Sequence, residues 1–148
     1  MANLIPNSFR GALFSGQHDF RNSGGNTFKL SLYTGSIASV YTVSSTVFSA
    51  TNEVSSGGGS NYAVKTLTNN GVVSSTVVAS VDFANVSYSS ATFTAAYAAI
   101  YNSDTVDSVA NRLVVVLDFG GDKTATNGTF TITFPDPSTA SNAIISMS

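Results

Sequence analysis

In the run "TFTITF", residues 129–134, every second residue is apolar, with Phe130, Ile132 and Phe134 alternating with threonines. Successive side chains on an extended chain point to opposite faces, so this spacing builds a strand with one apolar and one polar face. The same period recurs along the chain. "TFKLSLYT" sets Phe28, Leu30 and Leu32 against Lys29, Ser31 and Tyr33, and "TVVASVDF" places Val77, Ala79, Val81 and Phe83 on one side. "ATFTAAYAAIYN" offers Phe93, Tyr97 and Tyr101 on one face. Its alanines favour helix, but the flanking β-branched and aromatic residues argue for strand. "RLVVVLDF" is apolar on both faces, as a central strand covered on both sides would be. "YAVKTLT" alternates weakly around Tyr62, Val64 and Thr66, and "NAIISM" supplies a last strand. About seven short strands with frequent turn signals predict an all-β, antiparallel β-sandwich, with the jelly roll as a compatible subtype. Its core is expected to centre on Phe28, Leu30, Leu32, Val77, Val81, Phe83, Phe93, Val115, Leu117, Phe130, Ile132 and Phe134.

Residues 1–26 read differently from the sandwich domain at 27–148. Within this N-terminal arm, "NSFRGALFSG" predicts one short helix that Asn7 could cap and Gly16 could end. Phe9 and Leu13 share a helical face, with Ala12 near it. Such a helix either closes one end of the core or serves as a docking arm, since a short isolated helix is marginal without something to pack on. Between the first strand and Tyr62, "GSIASVYTVSSTVFSATNEVSSGGGSN" reads as a long exposed excursion. Loops of that length are uncommon in compact domains unless they touch something.

Composition narrows the function. The 148 residues are of single-domain size. Only 9% are charged, against about 25% in ordinary soluble domains, and Ser and Thr make up the deficit. The net charge is −2 and the six Lys and Arg are scattered singly. Nucleic-acid binding needs clustered cations to displace counterions from phosphates, so no nucleic-acid partner is expected. The chain has no cysteine, hence no thiolate chemistry and no disulfide framework. "MANLIPNSFRGALFSG" lacks the basic start and apolar core of a secretory signal. No apolar run approaches the roughly 20 residues of a membrane helix, so no membrane partner is expected.

The residues that could carry chemistry do not assemble into a site on paper. Asp118-Phe119-Gly120 spells a kinase metal-binding motif, but the phosphate loop, strand lysine and catalytic loop that it requires are missing. The stretch "NRLVVVLDFGGDKTATNGTFTITFP" reads instead as two strands and a polar loop, with Gly120-Gly121 leaving the first strand and Asn127-Gly128 as a turn signal. His18, the only histidine, falls in the leader beside Asp19, and no serine occupies a nucleophile elbow. Glu53 is the only glutamate, so paired carboxylates of the glycosidase kind would have to come from aspartates near strand ends, which ordinarily make local hydrogen bonds. Asp104 and Asp107 could sit in a calcium-binding loop, but too few charged ligands accompany them. Asn85 and Asn127 match glycosylation acceptors by chance, without a secretory signal. Neither a metal, a cofactor nor an enzymatic activity is expected.

The order of blocks "TFKLSLYT", "TNEV" with its glycine patch, "VDFANVSYSSATFTAAYAAIYNS", "NRLVVVLDFGGDKTATNGTFTITFP" and "NAII" resembles the small virion structural proteins encoded near capsid genes in tailed bacteriophages. The likeness runs from about Asn7 to Ile145 and lies in the succession of blocks rather than in any single motif. It implies a capsid decoration, or cement, protein made in the host cytoplasm and carried on the phage head surface, with the major capsid protein as partner. Tail-fibre and baseplate modules are competing assignments. A homo-oligomer is expected, because closed symmetric assemblies match the axes of a shell. In that setting Phe9, Leu13 and Phe14 are the candidate contacts with the capsid or with a second copy. A carbohydrate-binding module is the alternative from another class, for which Tyr97 and Tyr101 would supply exposed aromatics.

Overall fold

The computed structural model describes residues 2–55, 60–74, 76, 78–136 and 143–147. One helix, α1 (Asn7–Phe14), precedes seven strands: β1 (Phe28–Tyr33), β2 (Lys65–Thr66), β3 (Asn69–Ser74), β4 (Ala79–Phe83), β5 (Val86–Asn102), β6 (Arg112–Ile132) and β7 (Ile145–Met147). They form two antiparallel sheets, one in the order β2-β1-β5-β6 and the other β3-β4-β7. The all-β, two-sheet architecture expected from the alternation is thus present, and "TAAYAAI" is strand within β5. "YAVKTLT" contributes only the two residues of β2, with Tyr62 buried and Val64 exposed.

Between the sheets lies the larger core, built from Phe28, Leu30, Leu32, Phe83, Tyr88, Phe93, Phe130 and Ile132 among others. A run of aromatic contacts crosses it: Phe20 stacks on Phe28 at 4.4 Å, Phe28 meets Phe83 edge-on at 5.6 Å, and Phe83 meets Phe134 at 6.1 Å. Leu117, expected at the centre, packs against this cluster half-buried. Val77 lies outside the described residues.

The long strands correct two expectations. The stretch from Arg112 to Ile132 is one strand, not two strands joined by a loop, and it stays paired with β5 throughout. The glycines and Asn127-Gly128 are absorbed as bulges. Tyr97 pairs with Asp118 and Ala95 with Lys123, so five steps along β6 oppose two along β5, and Gly120 and Gly121 take φ of 71° and 126° within the excess. Glycine suits such positions because it has no Cβ to clash at positive φ. The chain reverses elsewhere, between β5 and β6. Val106 and Val109 exchange both backbone hydrogen bonds at 3.0 Å around Asp107 (φ 50°) and Ser108 (φ 62°). Two positive φ values in a two-residue loop match the twist of a β-hairpin.

Second, β6 is an edge strand, not a central one. Leu113 to Val116 are nonetheless all buried, because the sheet is covered on both faces and the first part of its edge is paired. Ile37 and Tyr41, from the segment expected to be an exposed excursion, join Tyr33, Ala99, Leu113 and Val116 in a second cluster on the outer face. The apolar residues of that segment make it a cover for the sheet. Leu4 exchanges two 2.8 Å backbone hydrogen bonds with Val116, and Thr46 and Phe48 bond to Leu113 and Asn111. A bulge opposite Ile100 and Tyr101 turns Val114 and Val115 toward the larger core, while Leu113 and Val116 face the smaller one.

Candidate functional site

The leader is built into the body. Asn7 does not cap α1: Pro6 occupies the N-cap position, and the Asn7 N–H donates to the Val43 carbonyl at 2.9 Å. Gly16 does end the helix, with φ at 65°. Gln17 N–H donates to the Ala12 carbonyl at 2.9 Å and Gly16 N–H to that of Leu13 at 3.1 Å, the paired bonds of a Schellman turn. Helical geometry then separates the three candidate contacts. Phe14 lies five residues beyond Phe9, about 140° around the axis, whereas Ala12 and Leu13 fall within about 60° of it. Phe9 is therefore 1% exposed, against His18 at 4.9 Å and Phe20 at 6.2 Å. Leu13 is half-buried, and Phe14 is 89% exposed. Only Phe14 offers its ring to a neighbour.

Leu13, the residue before Phe14, lines an apolar cleft of about 130 Å³ together with Phe20, Val72, Val81, Ile145 and Met147. Val72 and Met147, from β3 and β7, are more than half exposed. Leu13 of α1 and residues of the three-stranded sheet thus share an apolar cleft, while the exposed Arg10 stands one helical turn before Phe14. A larger concavity, about 700 Å³, follows the second half of β6 past Phe119, Lys123, Thr131 and Phe134. Its rim includes Pro135 and Ala143, which bracket residues 137–142, outside the described set.

The polar candidates fall in separate places. His18 is not in a loose leader: it is 8% exposed, ringed by Phe9, Phe20 and Phe28. Its Nδ1 accepts from Asn102 Nδ2 at 3.2 Å, which puts the ring proton on Nε2, a buried atom with no partner among the described residues. Burial, aided by the positive charge of Arg112, lowers its pKa from 6.5 to about 4. Among the described residues no serine or carboxylate is hydrogen-bonded to it, so the pairing of a triad base is not formed there. Asp104 accepts from Asn26 Nδ2 and the Thr27 N–H, and Asp107 from Gln17 Nε2. Both carboxylates thus brace the hairpin loop against the leader. Among the described residues no three His, Cys, Asp or Glu side chains converge.

Glu53 anchors a tyrosine network that the alternation could not reveal. Tyr62 Oη donates to Glu53 Oε1 at 2.6 Å while accepting from the buried Leu32 N–H at 3.1 Å. Nearby, the Tyr33 and Tyr41 hydroxyls meet at 2.7 Å, and Tyr33 Oη donates to the Ser49 carbonyl at 2.7 Å. Burial pushes the pKa values of Tyr33, Tyr41, Tyr62 and Tyr88 above the usual phenol value. The network ties the covering segment to β1, which is a structural task. Of the tyrosines considered for sugar stacking, Tyr101 is buried and stacked on Phe48 at 4.4 Å, and Tyr97 is half-buried against the smaller core. Asp118-Phe119-Gly120 forms the start of the bulge, where Asp118 Oδ1 accepts from the Gly120 N–H at 2.8 Å.

No protein-family model, curated protein or solved structure matches this chain.

Proposed function

We propose that this chain is a structural virion protein of a tailed bacteriophage, a capsid decoration protein that binds the outside of the head and stabilises the capsid lattice without catalysis or cofactor. The observation that carries the reading is the apolar surface at the end of α1. Phe14 projects from a helix locked into the body, one residue beyond Leu13, which lines a cleft with Val72 and Met147. An exposed aromatic side chain on a helix fixed to the body, in a chain poor in charge, has the character of a protein-binding anchor. The resemblance of the block order to that of small phage virion proteins favours the same assignment. The low charge, 9% of residues, suits a surface largely covered by neighbouring subunits. Homo-oligomers at symmetric positions of the shell are part of the proposal.

Quantitative mass spectrometry of purified virions tests it. Hundreds of copies per particle are expected for a decoration protein, whereas a handful to a few dozen would assign the chain to the tail. Fewer than about one copy per ten major capsid subunits would end the decoration reading, since a protein that holds a lattice together must occupy it.

A further inference from the structure

Four aromatic or imidazole rings and one amide are among the contacts that hold the leader to the sheets. Phe9 and His18 lie 4.9 Å apart, Phe20 stacks on Phe28 of β1, and His18 Nδ1 takes its single hydrogen bond from Asn102 at the end of β5. Asn102 is itself fully buried and fixed. Its other contacts are Nδ2 donating to Asn26 Oδ1 at 3.0 Å and Oδ1 accepting from the Asp104 N–H at 3.1 Å. The amide therefore presents a donor to His18 and is held that way round. Of the forms of His18, only the one with a bare Nδ1 satisfies it.

We propose that His18 is an acid-sensitive latch: uptake of a proton at Nδ1 detaches the leader, residues 2–26, while β1, β5 and β6 stay paired. A proton at Nδ1 sets donor against donor across the 3.2 Å contact with Asn102. It also places a full charge among three phenyl rings, with Nε2–H already lacking an acceptor. The charged groups around the ring give it no relief. Arg112 of β6 repels the imidazolium. Asp104, on the β5–β6 connection, is engaged by Asn26 and Thr27, and Asp107 by Gln17 and, at 4.0 Å, by Arg112. On the leader itself, Asp19 is paired with Arg21. The leader's other attachments are the Leu4–Val116 pair, the hydrogen bonds of Asn3, Asn7 and Ser8 to Asp118, Val43 and Ser45, and those of Gln17, Arg21 and Asn26 to Asp107, Asn69 and Asp104, whereas β5 and β6 are joined by a register thirteen pairs long.

The direction follows from linkage. A docked imidazole with a pKa of about 4 and a released one at 6.5 bind protons differently only below pH 6.5. Docking is at full strength above that value and weakens about tenfold per pH unit down to about pH 4, a total of about 300-fold. The test is an NMR titration of the full chain from pH 7.5 to 3.5, following the His18 ring protons together with amide exchange, corrected for its intrinsic pH dependence. The expected result is a His18 midpoint well below 6.5, with protection of the amides at Phe9–Phe14 falling about 100-fold or more while those of Ala98–Ile100 and Val114–Val116 persist. In His18→Asn, which keeps an acceptor but cannot titrate, leader protection should no longer follow pH across this range. The proposal is overturned if His18 titrates near 6.5 with the leader protected on both sides. It is equally overturned if leader and sheet amides lose protection together, or if His18→Asn releases the leader at the same pH. Should that variant not fold, the wild-type titration alone decides, because the first two outcomes need no mutant.

Discussion

Phe9→Ala and Phe14→Ala truncate the same side chain on the same short helix, and their effects should separate by several kilocalories. Phe9 is 1% exposed and belongs to the main core, touching His18 and Phe20. Its removal loses the transfer free energy of a phenyl ring and leaves a void bounded by rings that are themselves held by Phe28, so little collapse is available. The expected cost is about 3–5 kcal/mol. Phe14 is 89% exposed, so its truncation should move stability by no more than about 0.5 kcal/mol. Urea unfolding followed by far-UV circular dichroism reads both. With a slope of about 2 kcal/mol per molar, Phe9→Ala should lower the midpoint by about 2 M, and Phe14→Ala should leave it in place. The order reverses for binding to purified phage heads: Phe14→Ala should weaken it about 30-fold, the scale of a hot-spot aromatic worth about 2 kcal/mol. A cost below about 1 kcal/mol for Phe9→Ala would refute the claim that Phe9 is packed into the main core. Unchanged capsid binding by a folded Phe14→Ala would remove the anchor on which the proposed function rests.

Tyr62→Phe should cost about 2–3 kcal/mol in the same unfolding assay, because it leaves the buried Leu32 N–H without its acceptor and Glu53 without its donor. Tyr88→Phe should be neutral or slightly stabilising, since the Tyr88 hydroxyl is buried with no partner among the described residues; equal losses for the two would discredit this hydrogen-bond assignment. Ser108→Gly should raise stability by about 0.5–1 kcal/mol by relieving a non-glycine residue at φ 62° in the β5–β6 turn, and a loss of stability would mean that another turn is formed. Tyrosines with raised folded-state pKa values keep their protons in the native protein, so their contribution is complete below about pH 10 and is lost as pH rises past it. Absorbance at 295 nm should show only part of the six tyrosines ionising reversibly near pH 10, the rest appearing with unfolding; six ionising together near pH 10 would contradict the buried network.

What the chain determines locally was legible in its sequence. Period-two alternation places Phe28, Leu30 and Leu32, and Phe130, Ile132 and Phe134, on the core face wherever they are extended, because the pleat alone assigns alternate side chains to one side. Gly16 ends α1 for a reason equally local, its freedom to take positive φ. Three things required the tertiary structure. Whether Gly120-Gly121 and Asn127-Gly128 turn the chain or bulge within it depends on a partner: with β5 extending alongside from Val86 to Asn102, continued pairing keeps β6 straight through both signals. Which strand is central is a property of neighbours, and Leu113–Val116 look central only because Leu4 and Thr46–Phe48 pair their edge and Ile37 and Tyr41 cover their outer face. The fate of the leader was likewise undecided, since Phe9 and Phe14 are identical side chains on one short helix. Docking onto His18, Phe20 and Phe28 fixes the rotation of that helix, burying one phenyl ring and leaving the other in solvent, because only one side of a cylinder can face a core at a time.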